Sequence, residues 1–336
     1  MIVGSSDTTS GVALVAEVGN NHEGSVSKAE ELIEAAFVAG ADAVKLQTFV
    51  PELYVSESQS ERLELLRRFR LPDEEVQRLL TSFKSRGMTV FSTPFDLVSL
   101  QLLESVPLIK ISSGDITFAQ LLSAAARTRK DIIISSGAST LDEVQWAVNL
   151  IEATWAELGH TGILAILHCV SLYPAPAELL NLRAISTLKN TFPGCVVGYS
   201  DHALGIDAAL AAVAAGASII EKHFTLDKES SSFRDHRLSA DPSEFLRLRE
   251  GIDQLVAMLG SGDKVPQDAE VEMRTLIRRS VALSRDLPGG HRVGPDDVCI
   301  VRPRSGLAPV QIDQVLGRRL RHAARAGDSL SEGDFY

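Results

Sequence analysis

Short runs of apolar and β-branched residues recur along the first part of the chain, with amphipathic stretches between them. The runs are VALVAEVG (12–19), AVKLQTF (43–49), MTVFST (88–93), LIKISS (108–113), DIIISSG (131–137), ILAILHCV (163–170), CVVGYSD (195–201) and IIEKHFT (219–225). Near-continuous apolar strands alternating with helices form βαβ units, in which helices cover both faces of a parallel sheet. KAEELIEAAFVAG, LDEVQWAVNLIEATWAEL and IDAALAAVAAGAS carry apolar residues at three-to-four spacing and read as those helices. Glycine steps after several of them suit C-caps. Eight such units in roughly 220 residues predict a (β/α)8 TIM barrel, with a doubly wound open sheet as the rival.

The polar residues favour the barrel. Strand ends carry Glu17; Lys45 and Gln47; Ser92 and Thr93; Lys110, Ser112 and Ser113 with Asp115 just beyond; and Ser135 and Ser136. The last three carry His168 with Tyr173 beyond it, then Ser200, Asp201 and His202, then Glu221, Lys222 and His223. Polar groups buried at every strand end each need a partner, and a shared cavity at the C-terminal mouth of a barrel supplies one.

Composition narrows the function classes. Apolar residues make up 45% and charged residues 23%, the balance of a soluble globular protein. A formal net charge of −11 argues against a general nucleic-acid binder, which needs a basic surface. No signal peptide and no membrane-spanning run is expected from the residues. Cys169, Cys195 and Cys299 are widely spaced and lack a CxxC pattern, which reads as reduced thiols in a cytoplasmic protein. No GxGxxG or Walker loop follows a strand, and the HEG of His22 and Glu23 lacks the rest of a zinc-protease motif. A loop role is expected for that pair.

Lys45 and Lys110, with the hydroxyls of Thr93, Ser113, Ser135 and Ser200, make a candidate pocket for phosphate and carboxylate. Pairing of either lysine with Glu17 or Glu221, or a Schiff-base role, stays open. His202 and His223 end adjacent strands, which lie about 4.8 Å apart, so two imidazoles can share one ion and leave open positions for substrate oxygen. Hydrogen-bonded structural histidines are the alternative.

The segments AEVGNNHEG, GADAVKLQTF, KISSGD, LHCVSLYPAP, GYSDHALG, EKHFTLDK and DHRLSADP resemble, in order, the N-acetylneuraminate (sialic acid) synthases and their legionaminate, pseudaminate and spore-coat relatives. Residues 276–336 resemble the small all-β SAF, or antifreeze-like, domain that closes these enzymes. They also show a faint internal echo, with Gly290, Val293, Asp297 and Val298 matched by Gly327, Leu330, Asp334 and Phe335. The expected division is a barrel over 1–259, a linker over 260–275 and the SAF domain over 276–336.

The resemblance implies phosphoenolpyruvate binding by Lys45, Thr93, Lys110, Ser113, Ser135 and Ser200. It implies Mn²⁺ or Mg²⁺ on His202 and His223, and places Gln47, Tyr173, Asp115 and Asp235 around the two substrates. Glu17 and Glu221 become the acids of the site, Glu17 as candidate base. Arg302 of VRPRSG matches an arginine that one subunit inserts over its partner's site, which implies a domain-swapped homodimer. The implied reaction joins phosphoenolpyruvate to an N-acyl amino sugar such as N-acetylmannosamine.

Asp115 in place of glutamate, Ser171 in place of asparagine and Arg304 in place of glycine depart from the family pattern. These departures fall on the sugar side. They leave open the same chemistry on another sugar (legionaminate, pseudaminate or sialate 9-phosphate synthesis). A pyruvate Schiff-base aldolase, and a binding module on an inert barrel, are the remaining alternatives.

Overall fold

The computed structural model describes residues 1–336. A short antiparallel hairpin, Ile2–Val3 (β1) and Ser6–Asp7 (β2), comes first. The predicted runs then form eight parallel strands. They are Ala13–Gly19 (β3), Ala43–Thr48 (β4), Thr89–Pro94 (β5), Leu108–Ile111 (β6), Asp131–Ser135 (β7), Leu164–Cys169 (β8), Val196–Asp201 (β9) and Ile219–His223 (β10).

Their order in the sheet is β5-β4-β3-β10-β9-β8-β7-β6, so the first and last strands pair, with His223 opposite Glu17. β5 and β6 run side by side without a hydrogen-bonded ladder, which leaves the barrel nearly closed. The (β/α)8 expectation holds, and the open sheet is excluded by the β3–β10 pairing.

Strands this apolar fold because both faces are covered. Every residue of β3, β6, β8 and β10 is buried. The helix Val26–Val38 turns Ala29, Leu32, Ile33 and Ala36 inward, and its N-cap Ser25 accepts from Lys28 N. Leu141–Glu157 starts on a capping box of Thr140 and Glu143. Caps of this kind are each worth about 1 kcal/mol. Between β4 and β5 the chain inserts the helices Pro51–Tyr54 and Ser60–Phe69 ahead of Asp73–Ser82. Their inward residues meet a satellite aromatic cluster of Phe49, Tyr54 and Phe95.

The chain divides into Met1–Gly260 and Ser261–Tyr336. The helix Val271–Ile277 spans the boundary expected between the linker (260–275) and the SAF domain (276–336), with none of its residues buried. The second unit pairs Ser280–Leu283 (β11) antiparallel with Val298–Val301 (β12) over its own core of Val281, Leu283, Val293, Val315, Leu320, Leu330 and Phe335.

Its internal echo is structural. Gly290 and Gly327 both take positive φ, 80° and 91°. Asp297 accepts from Gly294 N at 2.9 Å, and Asp334 accepts from Ser331 N at 2.7 Å. Each closes a three-residue 3₁₀ turn. No helix is long and apolar enough to cross a membrane.

Candidate active site

The period of two along a strand sorts the polar residues at the strand ends. At the ends of β9 and β10, Ser200, His202 (one residue past β9), Glu221 and His223 line a cavity of about 1110 Å³, while Asp201 and Lys222 turn to the other face. Ser92 bonds Thr48 at 2.6 Å and Ser136 donates to the Leu167 carbonyl, so these two hydroxyls are spent on structure. His168 likewise meets the Leu180 carbonyl at 2.7 Å and does not line this cavity. All the other predicted site residues of the first unit do: Glu17, Lys45, Gln47, Thr93, Lys110, Ser113, Asp115, Ser135, Tyr173 and Asp235 join the four above. Arg302 belongs to the second unit, follows β12 directly and is exposed.

Two buried lysines stand on neighbouring parts of the floor. Lys45 Nζ lies 2.8 Å from Glu17 Oε2 and 3.7 Å from Glu221 Oε2, and donates to Thr93 Oγ1 at 3.2 Å. Lys110 Nζ donates to Ser135 Oγ at 2.6 Å and to the Ile111 carbonyl at 3.0 Å. Burial pushes the Lys110 ammonium below its ordinary range, with Glu221 pulling the other way. Burial also opposes the charge on Lys45, but Glu17 and Glu221 outweigh it and raise that lysine.

The two carboxyls are driven apart. Burial, joined by the charge of Glu221, raises Glu17 despite Lys45. Burial acts on Glu221 too, yet Lys110 and Lys45 together hold it below its usual value, and Ser200 Oγ donates to it at 2.9 Å. One carboxyl is therefore the fixed anion and the other the group able to exchange a proton.

The hydroxyl cradle beside Lys110 depends on a glycine. Gly137 N donates to Ser113 Oγ at 3.0 Å. A Cβ at this position would fall 2.3 Å from Ser171 Oγ, 2.8 Å from Ser113 Oγ and 3.1 Å from Cys169 Sγ, so only glycine lets the three converge.

At the ends of β9 and β10 the rings of His202 and His223 lie 5.3 Å apart, with Tyr173 4.1 Å from His202. His202 Nδ1 meets the Val170 carbonyl at 2.8 Å, which fixes the tautomer and leaves the Nε2 lone pair free. His223 Nδ1 is buried without a hydrogen-bond partner, and burial beside His202 holds this imidazole neutral, well below 6.5. Burial lowers His202 as well, but Cys169 at 3.6 Å and the Val170 carbonyl raise it overall. No third His, Cys, Asp or Glu completes a protein-only metal cage. Two imidazole nitrogens with open positions fit a divalent cation that also takes water and substrate oxygens.

Towards the mouth, Arg234 stacks over Tyr173 at 4.7 Å, with its Nε 3.3 Å from Asp235 Oδ1. Burial raises the carboxyl of Asp235, and that of Asp115, which accepts from Ser112 Oγ at 2.5 Å. The outer wall includes Leu53, Tyr54, Leu65 and Phe69 from the inserted helices, and Phe233 stacks edge-on against Phe69 at 5.0 Å. Neither these residues nor Asn20 and Cys169 are among the predicted site residues. The inserted helices carry no strand-end signal, and Asn20 lies one residue beyond its strand.

The chain matches the NeuB family over residues 32–264 and the SAF domain over residues 278–335. It is 39% identical to an N,N'-diacetyllegionaminic acid synthase of Legionella pneumophila over 332 residues, covering 94% of this chain and 92% of that protein. A pseudaminic acid synthase of Campylobacter jejuni is 33% identical, with full coverage of both chains. Among solved structures, an N-acetylneuraminic acid synthetase of Leptospira borgpetersenii, in complex with citrate, superposes with a TM-score of 0.73 at 35% identity. It covers 78% of this chain and 90% of that one.

Proposed function

The chain belongs to the NeuB family of C–C bond-forming synthases, and we propose that it condenses phosphoenolpyruvate with the open-chain aldehyde of an N-acyl amino sugar such as N-acetylmannosamine. The products are a nine-carbon sialic-acid-type keto acid and inorganic phosphate. The observation that carries this reading is the convergence of two chemistries on one cavity. Two buried lysines with a hydroxyl cradle and a pair of imidazoles line the same space.

Lys110, Ser135 and Ser113 hold the phosphate and carboxylate of phosphoenolpyruvate, with Lys45 balancing charge at Glu17 and Glu221. A divalent metal, Mn²⁺ or Mg²⁺, held by His202 and His223 would supply Lewis-acid polarisation of the sugar's carbonyl oxygen. The CH₂ carbon of phosphoenolpyruvate bonds to the aldehyde carbon. Water then adds to the carbon bearing phosphate and gives one proton to Glu17, which passes it to the alkoxide left on the former aldehyde carbon. The remaining hydroxyl loses its proton to the departing phosphate as the C–O bond breaks and the ketone forms. Glu221, held below its usual value, opposes the loss of charge that burial imposes on both lysines.

The apolar flank of Leu53, Leu65, Phe69 and Phe233 supports a second reading of the acceptor, a 2,4-diacetamido sugar whose extra acyl group would rest there. The same proposal includes a homodimer in which Arg302 of one subunit closes the other's cavity. Mixing inactive His202→Ala and Arg302→Ala proteins after joint refolding tests it, since only exchanged domains restore activity. Phosphate release that requires both phosphoenolpyruvate and an amino sugar tests the reaction itself.

A further inference from the structure

One buried polar atom of a residue that lines the cavity is oriented by a chain of side chains and has no use in the chemistry above. β3 ends in a bulge at Gly19, whose φ is +52°. A Cβ there would press on Glu17 Oε1 at 3.0 Å and Gln47 Nε2 at 3.2 Å. That space is taken by a bond from Gln47 Nε2 to Glu17 Oε1, 2.7 Å long. Gln47 Oε1 in turn accepts from Asn20 Nδ2 at 3.0 Å.

The direction of this chain is fixed at its inner end. The Glu17 carboxylate, held 2.8 Å from the Lys45 ammonium, is an acceptor. Gln47 must therefore turn its NH₂ to Glu17 and its carbonyl to Asn20, and Asn20 must turn its NH₂ to Gln47. Among the amide atoms of Gln47 and Asn20, only Asn20 Oδ1 makes no hydrogen bond. It is buried, it has no hydrogen-bond partner, and its residue, 8% exposed, lines the cavity. A buried oxygen of this kind calls for a donor. Fully ionised phosphoenolpyruvate carries acceptors alone and cannot supply one. The second substrate can.

We infer that Asn20 Oδ1 accepts a hydrogen bond from an acylamino N–H or a hydroxyl of the sugar, which makes Asn20 a specificity-determining residue. The inference rests on the condensation reading above. Through Gln47 the same contact steadies Glu17, so sugar recognition and the orientation of the candidate base share one chain of bonds.

The test measures KM for each substrate in wild type, Asn20→Ala and Asn20→Asp, with a set of sugars in which each hydroxyl is deleted or the acylamino N–H is replaced by oxygen. Asn20→Ala should raise KM for the sugar about tenfold or more while KM for phosphoenolpyruvate changes less than about twofold. One analogue should bind wild type as weakly as the parent sugar binds Asn20→Ala, and lose nothing further in that variant. Asn20→Asp, which keeps an acceptor, should lie between and covers the case of an alanine variant that does not fold.

Equal rises for both substrates, an unchanged sugar KM, or no analogue that cancels the substitution would each overturn the inference while the condensation reading stands. A folded wild-type enzyme that releases no phosphate with any sugar would overturn both.

Discussion

Lys222 Nζ lies 2.9 Å from Asp201 Oδ2, and both side chains are completely buried. Asp201 precedes His202, Lys222 precedes His223, and the pair stands in register across β9 and β10. Tyr199 OH and Ala203 N bond the other carboxylate oxygen at 3.2 and 2.9 Å. The ion pair thus pins, from the outer face, the two strand ends that present the imidazoles to the cavity. Removing one partner leaves an uncompensated buried charge. Lys222→Met should destabilise the barrel by roughly 3–5 kcal/mol, read as a lowered melting temperature. Asp201→Asn with Lys222→Met should recover part of that loss yet still weaken Mn²⁺ binding in titration calorimetry by roughly 10–100-fold. Unaltered metal affinity in a folded double variant would deny the pair its positioning role.

Metal binding should follow pH in a stated direction. His202 sits above its ordinary 6.5, because Cys169 and the Val170 carbonyl outweigh burial. A proton on this ring competes with the metal, so Mn²⁺ affinity should fall as pH drops through the raised value and level off above it. Calorimetric titration from pH 6 to 8.5 would record this, and His202→Ala should remove both the binding and its pH dependence.

The positions of the strands were legible because each is buried on both faces and so reads as an unbroken apolar run. The strand-end residues were legible because chemistry gathers there. Which of them face the cavity was harder, since Lys222 and Glu221 are equally polar in sequence and only the pleat separates them. His168, polar at a strand end, is spent on the Leu180 carbonyl. Tyr54 and Phe69 stayed hidden because short inserted helices bear no fixed relation to strand register. The pairing of Gln47, near the end of β4, with Asn20, just past β3, is a tertiary fact and leaves no mark on spacing.

Glu17 and Lys110 separate chemistry from binding. Glu17→Gln keeps the bond to Gln47 and should lower kcat by roughly 10²–10⁴ with KM for phosphoenolpyruvate little changed. Lys110→Met removes a charge from the cradle and should chiefly raise KM for phosphoenolpyruvate, by roughly 10–100-fold. Steady-state kinetics would distinguish the two. Borohydride treatment with pyruvate should label neither Lys45 nor Lys110, and labelling would favour a Schiff-base aldolase instead.

Asp297 makes the second unit acid-sensitive. Gly294 N–H, His291 and Arg285 hold its carboxyl well below the ordinary 3.8. A depressed carboxyl contributes stability above the unfolded value, and that contribution is lost as pH falls through the folded one. Thermal melting of wild type and Asp297→Asn between pH 2 and 6 should show the gap between them closing on the acid side. A gap that is constant with pH would contradict this assignment.

The condensation itself is tested most directly by phosphate release. Purified protein would be given phosphoenolpyruvate and Mn²⁺ with N-acetylmannosamine, 2,4-diacetamido hexoses or 6-phosphorylated N-acetylmannosamine, with and without a chelator. Stoichiometric phosphate and nine-carbon keto acid should form with at least one of these sugars and not without a sugar, and chelation should abolish turnover. No phosphate with any of them would contradict the condensation.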